Sequence, residues 1–177
     1  MTSEDKAIHY WHFKTRDVSL ENSLEWAVAT ADPNRLLFTM RLAEGRGKKR
    51  FAPPGVEDNV QRLFGKYVLE SFWASKWPGT RLFEHKGRVW VLKFNEEVKT
   101  LVLKTQPNFA MWYNNASLPL PEDICVFREG SPRPAILTVT HEGDGWFCNS
   151  DKPRLPKLRE DRQVVEFIPS GKYFCES

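Results

Sequence analysis

The segment Ile124–Cys148, ICVFREGSPRPAILTVTHEGDGWFC, constrains the fold more than any other part of the chain. Two apolar runs, Ile124–Phe127 and Ala135–Val139, are separated by Gly130, Pro132 and Pro134, and each is too short for an ordinary helix. A second break, Gly143-Asp144-Gly145, carries the Asp-Gly pair that suits a tight hairpin turn. The pattern predicts a three-stranded antiparallel meander. In its middle strand Ala135, Leu137, Val139 and His141 share one face, and Ile136, Thr138, Thr140 and Glu142 the other.

The rest of the chain supplies helices for such a sheet. Ile8–Phe13 reads as a short aromatic first strand. Asp17 or Ser19 caps a helix running to about Ala31, with Leu20, Leu24, Ala27, Val28 and Ala31 on one stripe. Leu36–Leu42 alternates as a half-buried strand. The segment 44–55, EGRGKKRFAPPG, is a flexible basic loop by its glycines, paired prolines and charge. From Val56 the spacing of Val60, Phe64, Tyr67, Val68 and Phe72 predicts one long helix, with Asp58–Arg62 and Lys66–Glu70 at ion-pair spacing. Trp77-Pro78-Gly79 ends it. Thr80–Glu84 and Arg88–Phe94 read as strands around a Lys86-Gly87 turn. Asn95 is a cap for a short helix through Val102, although Thr100–Thr105 fits a strand equally well. Residues 152–162 form an irregular surface segment, and Val164–Ile168 an added edge strand. The expectation is one α+β domain over residues 1–177: a mostly antiparallel sheet with the C-terminal meander, packed by two or three helices.

Composition narrows the function classes. A net charge of +3 gives no whole-protein field for nucleic acid, so a basic role has to come from local clustering. The three cysteines cannot all pair within one chain and match no zinc or redox spacing, which predicts a reducing, cytoplasmic setting. No stretch has the length and apolarity of a membrane span, and the N-terminus lacks a signal-peptide core.

Three candidate sites emerge. His141, Glu142 and Asp144 are acid–base residue types at one turn, but strand alternation sends His141 and Glu142 to opposite faces. His141 also continues the apolar face of Leu137 and Val139, so it reads as a half-buried histidine, leaving His141 and Asp144 as weak catalytic candidates. His9 and His12 diverge on a strand, and with His85 or His141 they specify no metal site, so no metal or cofactor is expected. The loop residues Arg46, Lys48, Lys49, Arg50 and Phe51 combine cations for phosphate with an aromatic ring for stacking, a nucleic-acid candidate.

The third candidate is aromatic. On the wheel of the long helix, Leu69 and Trp73 fall among charged residues, away from the apolar stripe. Trp26 falls off the stripe of the first helix. Off-stripe apolar residues of this size are either covered by another part of the chain, as by Trp77 and Pro78 folding back over the last turn, or exposed for a partner. The expectation is therefore a non-enzymatic protein-binding domain using Trp26, Leu69 and Trp73, of an inhibitory, toxin-neutralising or host-factor-blocking kind. A nucleic-acid module using residues 46–51 and an enzyme at His141 and Asp144 are the alternatives.

Overall fold

The computed structural model describes residues 9–29, 36–42, 54–74, 76–78, 80–81, 86–109, 117–128, 134–149 and 165–167. Strand β1 (His9–Lys14) is followed by helix α1 (Leu20–Ala29) and strand β2 (Leu36–Leu42). Helix α2 (Val56–Phe64) passes through a 3-10 turn, Gly65–Tyr67, into strand β3 (Val68–Ala74). Short strands β4 (Lys76–Trp77) and β5 (Thr80–Arg81) precede β6 (Gly87–Lys93) and helix α3 (Glu96–Thr105). Strands β7 (Asp123–Arg128), β8 (Pro134–Val139) and β9 (Asp144–Asn149) make the expected meander, and β10 (Val165–Phe167) is the added edge strand. Eight strands form one open sheet in the order β10-β1-β9-β8-β7-β2-β6-β3, antiparallel at every pairing. The architecture is α+β.

Local chemistry sets the helix starts. Ser19 Oγ accepts from the Asn22 amide at 3.3 Å, and Asn95 Oδ1 accepts from the Val98 amide at 2.9 Å, each satisfying an orphan donor of the first turn. The Asn95 cap resolves the ambiguity over 100–105 in favour of a helix. All three helices pack on one face of the sheet. Leu24, Val60 and Val102 of the helices join Phe38, Leu92, Val126 and Phe147 of the strands in the main core. The opposite face carries a smaller cluster of Val89, Val91, Cys125, Leu137 and Cys148. Cys125 and Cys148 are buried thiols that fill apolar space in this cluster.

Four expectations change. The long helix from Val56 stops at Phe64, and Val68–Ala74 is a strand against β6. Gly65 weakens helix continuation. Beyond it, Val68, Phe72 and Trp73 are β-formers whose backbone groups find ladder partners on β6. The Lys66–Glu70 pair does not form, and Lys66 lies 3.5 Å from Glu97 on α3 instead. Next, β5 pairs with β4, and β6 pairs with β2 and β3, so the hairpin around Lys86-Gly87 is replaced. Third, Asp144-Gly145 opens β9, and the preceding turn is a 3-10 segment, Thr140–Glu142, closed by Gly143 at φ 71°. His141 therefore lies in that turn and does not continue the strand. Fourth, a register shift opposite Val126 and Phe127 puts Ala135 and Ile136 together in the main core, breaking the predicted alternation there.

Candidate functional site

Asp144 gathers a polar cluster, but with different partners from the ones the sequence suggests. Pairing of β1 with β9 sets His12 opposite Trp146 and Lys14 opposite Asp144. His12 Nε2–H donates to Asp144 Oδ1 at 2.7 Å, and the Lys14 ammonium donates to the same oxygen. The His12 ring lies 5.3 Å from the Trp146 ring. Burial alone pushes the Asp144 carboxyl up, yet the hydrogen bonds and charges of Lys14 and His12 together outweigh it and hold the group below its ordinary value. Asp144 is thus an ionised acceptor holding two basic side chains of the neighbouring strand. The geometry is that of a cross-strand clamp, one carboxylate oxygen shared by two basic side chains. Lys14 and His12 carried no motif that would have tied them to Asp144; only strand pairing does.

A second polar group is fully enclosed. Arg41 on β2 and Asp123 on β7 are register partners, with Arg41 Nη2 donating to Asp123 Oδ2 at 2.6 Å and relative side-chain exposures of 1% and 0%. The Thr140 amide donates to Asp123 Oδ1 at 2.9 Å, and the Thr140 hydroxyl to the Glu122 carbonyl at 2.7 Å. Burial pushes the Asp123 carboxyl above its ordinary value, against the pull of Arg41 and the Thr140 amide. This network ties the turn before β9 to the sheet centre.

The exposed apolar surface lies on β3. That strand ends the sheet, pairing with β6 alone among the described strands. Leu69, Phe72 and Trp73 are 59%, 39% and 44% exposed. Leu69 sits in a bulge between Val68 and Glu70, without a register partner on β6. Trp73 pairs with Arg88, whose guanidinium carbon lies 5.9 Å from its ring centroid and 5.4 Å from that of Trp90. Arg88 is held there by Glu57 Oε1 on α2 at 3.0 Å and by Ser71 Oγ at 3.3 Å. Trp73 is thereby fixed by a cation while leaving much of its surface to solvent.

Leu69 and Trp73 are exposed, then, but on a sheet edge, whereas the sequence placed them on a helical flank. Phe72, assigned there to the buried stripe, is the third member of the patch. Trp26 does not belong to it. At 5% exposure, with its ring 5.0 Å from that of Phe147 in an edge contact, it fills the core between α1 and β9. The wheel fails for Trp26 because the helix is covered by more than one neighbour, so its buried arc is wider than one stripe. Arg46, Lys48, Lys49, Arg50 and Phe51 lie outside the described residues. The side chain of His141 does too.

A shallow groove of about 560 Å³ runs between α2 and α3, lined by Leu63, Lys66, Tyr67, Glu96, Glu97, Thr100, Leu101 and Lys104. Its polar groups engage one another: the Tyr67 hydroxyl donates to Glu97 Oε2 at 2.6 Å, and the Lys66 ammonium stands 4.6 Å above the Tyr67 ring. Among the described residues, no group of three His, Cys, Asp or Glu side chains is placed to hold a metal ion. None of the described helices is long and apolar enough to cross a membrane. No family model, curated protein or solved structure matches the chain.

Proposed function

We propose that this chain is a protein-binding domain that takes an extended segment of a partner as an added strand along β3. One observation carries the reading: among the described strands a seven-residue strand ends the sheet, and its three large apolar side chains are substantially exposed. An outer strand leaves a row of backbone donors and acceptors without ladder partners, and natural proteins usually blunt such edges with charge, proline or short length. Here the strand is long, has no proline and carries one ionisable residue, Glu70; its one bulge, at Leu69, leaves Glu70–Ala74 in regular register. Main-chain hydrogen bonds to the added strand supply affinity, while Leu69 and Trp73 supply side-chain selectivity. Trp73 clamped by Arg88 has the character of an interface anchor, a rigid aromatic with little rotamer entropy left to lose. An inhibitor or neutralising protein would act through such an edge by occupying a strand that its target needs elsewhere.

The test uses ligands selected from a random-peptide display library on the intact protein. Bound peptide is expected to protect the amides of Val68–Ala74 from hydrogen exchange. Leu69→Asp and Trp73→Ala are expected to weaken binding about tenfold or more, the effect of losing an anchor worth ~1.4 kcal/mol, with far-UV circular dichroism unchanged. Peptides that bind equally well to both variants and leave the β3 amides unprotected would sink the proposal.

A further inference from the structure

We infer that the segment added to β3 is basic and apolar by turns, with a Lys or Arg opposite Glu70 and an apolar residue two positions along, opposite Phe72. The inference rests on the strand-addition reading above and names the chemistry of its partner. The bulge at Leu69 interrupts the ladder, so the regular edge runs over Glu70–Ala74. Register then fixes which way each side chain points. Glu70 and Phe72 sit opposite Val91 and Val89, which belong to the cluster on the sheet face away from the helices. Ser71 and Trp73 sit opposite Trp90 and Arg88, on the face that α2 covers. An added strand obeys the same alternation, so its residues opposite Glu70 and Phe72 share one face.

The two faces of this edge differ in charge. On the helix side the Arg88 guanidinium is bound to Glu57 Oε1 at 3.0 Å and lies over the Trp73 ring, so that face presents a closed ion pair. On the other side the Glu70 carboxylate is exposed and has no ion pair among the described residues. Lys93, two positions beyond Val91 on the same face of β6, forms none with it. Glu70 is the one ionisable residue of the strand, and its charge is uncompensated. A cation directly opposite it is favoured and an anion disfavoured. Phe72, 39% exposed on the same face, takes an aliphatic or aromatic cross-strand neighbour. A cation on the helix side instead meets Arg88 and gains nothing from Glu57, which is already bound. An all-apolar segment suits Phe72 and Trp73 but desolvates the Glu70 carboxylate without pairing it. The edge therefore selects both the charge and the face that carries it.

Parallel selections from one random-peptide display library, on the intact protein and on its Glu70→Lys and Glu70→Gln variants, test this. Peptides from the wild-type selection should carry Lys or Arg two positions from an apolar residue. That enrichment should turn to Asp or Glu on Glu70→Lys and vanish on Glu70→Gln. In a selected peptide that protects the β3 amides, exchanging the basic residue for Glu should weaken binding to the wild-type protein about fivefold. The same exchange should strengthen binding to Glu70→Lys by about as much. Both effects should shrink in about 1 M salt, where the screening length falls to about 3 Å. Glu70 is exposed, so circular dichroism should show the three proteins equally folded. Glu70→Gln, close in size and without the charge, carries the test by itself should Glu70→Lys fail to fold. Peptides that protect Glu70–Ala74 but show one charge preference on all the proteins would overturn the basic partner and leave strand addition standing. Selected peptides that bind without protecting those amides would overturn both.

Discussion

Arg41 and Asp123 face each other across β2 and β7, joined by a 2.6 Å hydrogen bond and shut off from solvent on both sides. They lie 82 positions apart in sequence, in the face of the sheet away from the helices. Two Arg41 nitrogens, Nε and Nη1, make no hydrogen bond, so the ion pair is enclosed without full satisfaction of its donors. Such a pair specifies an arrangement more than it stabilises it.

Breaking that pair from one side is expected to be costly. Arg41→Met or Asp123→Asn should lower unfolding free energy by about 3–5 kcal/mol, since each strands a buried charge or its partner. The joint replacement Arg41→Met with Asp123→Asn should cost less than the sum of the two single losses. Urea unfolding of the three variants checks both statements, and additive losses in the double variant would contradict the pairing argument.

Asp144 predicts an acid-sensitive clamp. Its carboxyl lies below the ordinary value when folded, so between that lower value and the unfolded one the unfolded chain binds more protons. The contribution is therefore present above the unfolded pKa of about 4 and is lost as pH falls through the folded value. Lys14 is 45% exposed and solvent screens the pair, which keeps the contribution to about 0.5–1 kcal/mol. Asp144→Asn should flatten the acid limb of a melting-temperature profile by that amount. An unchanged limb would show that the clamp contributes nothing measurable.

Gly145 is a packing position. A Cβ there would stand 2.3 Å from Phe13 Cζ, and Phe13 is itself stacked on Phe147 at 4.4 Å. Gly145→Ala should destabilise by about 1–3 kcal/mol through overpacking. Phe13→Leu should relieve part of that loss, visible as a coupling energy in a double-mutant cycle. Independent, additive losses would mean that the ring moves aside without strain.

The two tryptophans assigned to a partner surface should separate cleanly. Trp26→Ala removes a ring packed on Phe147 and is expected to cost about 3–5 kcal/mol. Trp73→Ala removes a ring 44% exposed and should cost about 1 kcal/mol or less. Thermal unfolding distinguishes them. Equal losses would place Trp73 in the core as well.

Much of the fold was legible. Period-two alternation marked Leu36–Leu42 and the meander, although the structure buries both faces of β8 and breaks the alternation at Ala135. Ser19 and Asn95 announced two helix starts through side chains that satisfy nearby amides. The site was less legible. Leu69 and Trp73 drew attention for being apolar among charges, a pattern that fits coverage by Trp77 and Pro78 as well as exposure, and it was read on a helix where the structure has a strand. Trp26 gave the same sign from the middle of the core, because a wheel carries no information on how many neighbours enclose a helix.

What the sequence determined by itself is what depends on neighbours along the chain: strand periodicity, capping, turn composition, and the α+β class that follows. The tertiary structure decided the rest. The stretch from Val56 to Phe72 fits a helical stripe, yet Val68–Ala74 becomes a strand because β6 offers it ladder hydrogen bonds that no local pattern reveals. Asp144 takes His12 and Lys14 because pairing of β1 with β9 brings together residues 132 and 130 positions apart. Both outcomes rest on contacts whose energy is gained only after the chain has closed long loops, and local sequence does not encode them.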